Sequence, residues 1–192
     1  MYKNPLILLL ALALALSSFT VSAVEIEGVE IPDTLSLPNS DTTLLLNGAG
    51  IRKKFFMDIY IGALYLESQT SEAKAILHGT GAASVMMHFL YSEVSKDKIT
   101  DGWTDGLEKN TSHTKMQTLQ ESLTSFNKLF RTVRKGDVIR IDYLPDNGTQ
   151  VRINGEWRGT VEGNDFFRSL LSVWLGEKPV TKSLRENMLG KQ

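Results

Sequence analysis

The sequence contains no cysteine, which excludes disulfides, thiol nucleophiles and thiolate metal sites. Histidine is almost as scarce. His78, His88 and His113 are the only three, and nothing spaces them for a metal ion. There is no Gly-Lys-Ser/Thr phosphate loop, no Gly-x-Ser-x-Gly elbow and no His-Glu-x-x-His pair. An excess of one charge is missing too: 21 Lys and Arg face 22 Asp and Glu, so nothing electrostatic favours nucleic acid. No basic tract marks a membrane-surface helix, and no repeat or low-complexity stretch divides the chain.

What is present begins at the N-terminus. Lys3 supplies a short positive region, and an unbroken Leu/Ile/Ala run follows from Leu6 to Leu16. Those eleven residues are too few to cross a hydrocarbon core, which takes about 20 in a helix. Ser17 and Ser18 close the run, and Val21-Ser22-Ala23 puts modest side chains where a signal peptidase cuts. Residues 1–23 are therefore expected to be a signal peptide and 24–192 one exported domain, with the bacterial periplasm as destination.

Apolar residues alternate with charge over 24–31, which predicts an exposed-edge strand before Pro32. Residues 43–67 read as a long hairpin turning around 54–57, with Gly48 and Gly50 allowing a bulge or a close backbone approach. A short helix is expected over 70–77 and a strand over 83–91. Ser95 can cap a helix carrying Ile99, Trp103 and Leu107. A second helix is predicted from the stripe Met116, Leu119, Leu123, Phe126, Phe130 and Val133. Turns at Pro145-Asp146-Asn147-Gly148 and Asn154-Gly155 then organise a meander through Trp157 and Val161. A helix over 165–175 stops at Gly176, and a short one begins near Thr181. This order predicts an α+β fold, a mainly antiparallel sheet packed against helices on one face.

Asp101, Asp105 and Glu108 share a helical spacing, but Lys96, Lys98 and Lys109 surround them, as on a solvated helix face. Arg52 and Tyr60 are more informative. Arg52 ends the glycine-flexed strand, and a hairpin turning near residue 55 brings Tyr60 close to opposite it. A guanidinium offers paired donors that match a carboxylate, and a phenol adds another. At the mouth of an apolar cavity the pair would hold the head group of an amphiphile. The same residue types also fit an Arg solvated on a sheet edge beside a Tyr whose hydroxyl reaches water.

Three stretches carry a resemblance to the chalcone isomerase superfamily, in particular its bacterial exported chalcone isomerase-like branch. They are Leu46-Asn47-Gly48-Ala49-Gly50-Ile51-Arg52 followed by Tyr60-Ile61-Gly62-Ala63-Leu64-Tyr65-Leu66-Glu67; Ser95-Lys96-Asp97-Lys98-Ile99 with Gly102-Trp103; and Trp174-Leu175-Gly176-Glu177-Lys178-Pro179-Val180 with Leu184 and Leu189-Gly190. The resemblance implies an open-faced β-sandwich whose helices hold an apolar cleft against a large antiparallel sheet. Of the polar cleft of the plant enzymes only the Arg carries over, onto Arg52. The strand Thr falls at Tyr60, the helix Tyr and Asn near Lys98 and Asp105, and the terminal Thr near Val173. That loss argues against flavanone formation. In the family's non-enzymatic plant relatives an Arg and a Tyr hold a fatty-acid carboxylate, and Arg52 and Tyr60 resemble that pair.

The resulting expectation is a non-catalytic binder of an apolar, anionic small molecule such as a fatty acid, with no cofactor, metal or nucleic acid. One alternative is an isomerase or lyase acting on an enone or related carbonyl, with Arg52 polarising the carbonyl and Tyr60 moving the proton. The other is a structural or partner-binding protein whose cleft is filled by Trp103, Trp157 and Trp174.

Overall fold

The computed structural model describes residues 23–191, so the expected signal peptide lies, but for Ala23, outside the described residues. Strands β1 (Ala23–Ile26) and β2 (Val29–Pro32) form a ribbon of their own. The seven-stranded sheet uses β3 (Thr34–Ser36), β4 (Thr43–Lys54), β5 (Met57–Leu66), β6 (Ala83–Phe89), β9 (Val138–Leu144), β10 (Gly148–Ile153) and β11 (Glu156–Val161). A two-residue pair, β7 (Glu93–Val94) with β8 (Val133–Arg134), stands apart from it. The helices are α1 (Ala73–His78), α2 (Lys96–Asn110), α3 (His113–Asn127), α4 (Asn164–Leu175) and α5 (Lys182–Met188).

The large sheet runs β11-β10-β9-β6-β5-β4-β3 and is antiparallel throughout. It curls into a half-barrel, the α+β architecture expected from the element order. Period-two alternation sorts its side chains between two cores. Leu64, Val85, Met87, Ile139, Ile141 and Val151 face the helices, whereas Ile61, Ala63 and Tyr65 face the opposite side. There Ile31, Leu35 and Leu37 cover them, so the sheet has a second, smaller core that helix packing alone does not predict.

Helix α4 dominates the larger core because every residue from Phe166 to Leu175 except Ser169 is buried. Ser95 caps α2 as expected, accepting from the Lys98 N–H. Gly48 and Gly50 have both predicted uses. A register shift falls between Leu46 and Gly48, and α5 lies directly on the strand there. A Cβ at Gly48 would collide with the Asn187 carbonyl oxygen, and one at Gly50 would come within 2.6 Å of the Asn187 Cβ.

Several expectations are corrected. The stretch 24–31 is a hairpin, because Glu27 and Gly28 both take positive φ (51° and 73°) and reverse the chain. The helix expected over 70–77 spans Ala73–His78, and the strand over 83–91 stops at Phe89. Helix α3 ends at Asn127, so Phe130 lies in a loop and Val133 pairs with Val94. Both remain buried in the core that α3 faces, which is why the apolar period runs on past the helix.

Candidate functional site

The β4–β5 hairpin positions the site. Its register sets Arg52 directly opposite Tyr60, then slips so that Lys53 faces Asp58. Ile59 is the extra residue of this bulge, and its carbonyl accepts from the Leu90 and Tyr91 N–H groups. The guanidinium carbon of Arg52 lies 5.5 Å from the centroid of the Tyr60 ring, a cation–π distance.

Tyr60 is buried, with its ring 5.6 Å from that of Phe89. Its hydroxyl accepts a 2.9 Å hydrogen bond from Trp174 Nε1 on α4. The phenolic proton remains free to be donated. Burial pushes the Tyr60 phenol above its ordinary range, and the Arg52 charge and the Trp174 hydrogen bond only partly oppose this. At neutral pH Tyr60 is therefore a donor and not a base.

A cavity of about 50 Å³ adjoins the pair. Its polar lining is Arg52, Tyr60, Lys98 and Trp103, and Ile59, Met87, Phe89, Ile99 and Val173 are among its apolar walls. No carboxylate lines it. Arg52 Nε and Trp103 Nε1 are buried and find no hydrogen-bond partner among the described residues. Two orphaned donors, a free phenolic O–H and two cations thus meet at one cavity, an arrangement complementary to an anion.

The volume limits what enters. At about 50 Å³ the cavity has room for a group the size of a carboxylate but not for an acyl chain, which needs several hundred. A cluster of aromatic rings packs beside it between sheet and helices. Trp103 meets Trp174 and Phe130 at 5.5 Å and Phe126 at 5.9 Å between centroids.

Of the residues singled out in the sequence, Arg52 and Tyr60 face each other across the hairpin, and Trp103 and Trp174 are buried. Trp157, the third side chain expected to fill the cleft in the structural alternative, does not do so: it is 57% exposed on the edge strand β11. Of the positions brought in by resemblance, Lys98 and Val173 do line the cavity. Asp105 does not; its exposed carboxylate lies 3.9 Å from Lys109 Nζ. The next residue, Gly106, is the one that meets the interior, against Val173. The hydrogen bond from Trp174 to Tyr60 was not foreseen.

The fold and site define a class: a helix-backed half-barrel with a guanidinium and a phenol paired at an internal cavity. The chalcone isomerase-like family model matches residues 23–190, and the chain belongs to that family. In fold it is similar to the fatty-acid binding protein AtFAP1 of Arabidopsis thaliana, at 18% identity and a TM-score of 0.70. The match covers 88% of this chain and 96% of that one. Comparison with curated proteins finds no match.

Proposed function

We propose that this is a non-catalytic binding protein that holds the carboxylate of an apolar small molecule, such as a fatty acid, between Arg52, Tyr60 and Trp103. The observation that carries the proposal is the pair of buried, unpartnered donors Arg52 Nε and Trp103 Nε1 on a cavity with no acidic residue. An entering carboxylate would satisfy both and accept the Tyr60 proton as well. The fatty-acid ligand of the similar plant protein is in keeping with this chemistry. A long acyl chain needs several hundred Å³, the size of ordinary ligand pockets, so its entry requires the cavity to widen.

The proposal includes export to the bacterial periplasm, supported by the charged, apolar and small-residue pattern of residues 1–23. Turnover is not favoured, because Tyr60 is held protonated and its oxygen already accepts from Trp174.

A second reading, a structural role with a filled cleft, is favoured by the small cavity and the aromatic packing around Trp103. Calorimetric titration with dodecanoate and hexadecanoate separates the two. The binding reading expects saturable uptake that Arg52→Ala weakens at least about tenfold, the worth of one charge-assisted hydrogen bond. Absence of binding, or equal binding by Arg52→Ala, would overturn it and leave the filled cleft.

A further inference from the structure

The turn that joins β4 to β5 carries its own signal. Lys54 pairs with Met57, leaving Phe55 and Phe56 as a two-residue loop. Their relative exposures are 83% and 103%, and that of Met57 is 38%. Phe55 has φ 55°, while Phe56 is not among the residues with positive φ. Positive φ at the first loop residue alone is the pattern of a type II′ turn, where glycine is the ordinary occupant. A bulky side chain there is a genuine conformational outlier. Phe55 is thus unfavourable twice, once in its backbone and once in the water around its ring, and folding explains neither.

Two consecutive lysines, Lys53 and Lys54, stand directly behind the rings. The only acid between residues 52 and 60 is Asp58, whose carboxylate is 3.0 Å from Lys53 Nζ. An apolar tip followed by a basic collar matches an anionic lipid surface, with rings at the acyl boundary and lysines among the head groups. A narrow two-residue tip is poorly suited to a protein partner, since a standard interface needs about 800 Å² from each side.

We propose that Phe55 and Phe56 insert into the interface of an anionic membrane, with Lys53 and Lys54 contacting phosphates. The Arg52–Tyr60 pair is the third rung from the end of the hairpin, and Arg52 lies three residues, about 10 Å at 3.3 Å per residue, behind Phe55. Docking therefore brings the anion-binding cavity to the membrane surface. The inference does not depend on what that cavity binds.

Vesicle flotation of residues 24–192, the domain expected after export and the one that carries every core residue among the described residues, tests the inference. Vesicles of phosphatidylcholine with phosphatidylglycerol are compared with phosphatidylcholine alone. Wild type is expected to float with the anionic vesicles, and Phe55→Asn with Phe56→Ser to bind at least about tenfold more weakly. Lys54→Glu is expected to weaken anionic binding at least about fivefold. Asn tolerates positive φ, so Phe55→Asn keeps or raises the melting temperature, and its failure to float cannot come from unfolding. In solution it binds fatty acid as wild type does, whereas Arg52→Ala still floats. Failure of wild type to float, flotation of the double variant equal to wild type, or a dimer in sedimentation that Phe55→Asn dissolves would overturn the proposal.

Discussion

Trp174 Nε1 donates to the Tyr60 hydroxyl over 2.9 Å, tying the most deeply buried helix to the strand that carries the candidate site. Both side chains are at most 4% exposed, so neither can turn to water when the other is removed. Tyr60→Phe leaves the indole N–H buried and unpaired, which costs about 1–3 kcal/mol. Trp174→Phe removes the donor but also opens space. The double variant is expected to be more stable than the sum of the singles predicts, with a coupling of at least about 0.5 kcal/mol. Urea denaturation of the four proteins measures it, and strict additivity would show the bond to be energetically idle.

Alkaline stability reports on the same burial. Desolvation raises the phenols of Tyr60, Tyr65 and Tyr143, chiefly by excluding water from the charged form. The unfolded chain releases these protons near pH 10 and the fold only above that. Their contribution is therefore complete below pH 10 and is lost as pH rises beyond it, by up to about 1.4 kcal/mol per unit for each group. Asp137 acts at the other end of the scale. Burial works to raise it, but hydrogen bonds from Asn154, the Arg134 N–H and Arg131 hold it below the usual carboxylate range. Its contribution is lost as pH falls through that lowered value. Melting temperatures should be level between pH 7 and 9, fall above about pH 10 through the tyrosines and fall below about pH 4 through Asp137; a decline beginning at pH 8 would contradict the tyrosine assignment.

The features legible in the sequence were those with local causes. Asn154-Gly155 announces its turn, Ser95 its cap, and counting back from a turn near residue 55 brings Arg52 close to Tyr60, although the bulge at Ile59 that makes them direct partners was not legible. What was not legible depends on pieces distant in the chain. Phe130 and Val133 continue an α3 stripe because they face the same core, so periodicity overran the helix by several residues. Trp103 and Trp157 are the same residue type, yet only packing distinguishes the buried ring from the exposed one. The orphaned Trp103 Nε1 and the small cavity arise where β4, β5, β6, α2 and α4 converge, and no window of sequence contains that meeting.

Trp103 is the side chain that decides how much the cleft can hold. Replacing it with Leu removes its contacts with Phe126, Phe130 and Trp174, at a cost of about 3 kcal/mol. It also removes an unpartnered donor, which returns part of that loss. If the acyl tail follows the path this ring blocks, Trp103→Leu is expected to bind hexadecanoate more tightly than wild type, while dodecanoate changes less. Titration of both acids measures the difference, and weaker binding of both would place the tail elsewhere.

Two glycines on α2 give opposite expectations that check the helix packing. A Cβ at Gly102 would meet nothing within 4 Å, so Gly102→Ala gains helix propensity without a clash. It should raise stability by about 0.5–1 kcal/mol. A Cβ at Gly106 would come within 2.7 Å of Val173 Cγ2, on a helix whose inner face is buried throughout. Neither β-branched Val173 nor its backbone can yield far without disturbing Trp174, so Gly106→Ala should cost about 1–3 kcal/mol despite the same gain in propensity. Pairing it with Val173→Ala should recover most of the loss, because the collision is between those two side chains alone. Thermal denaturation of the three variants decides the point. A Gly106→Ala protein as stable as Gly102→Ala would mean that α2 lies farther from α4 than the structure places it, and the cavity between Arg52 and Trp103 would be correspondingly wider.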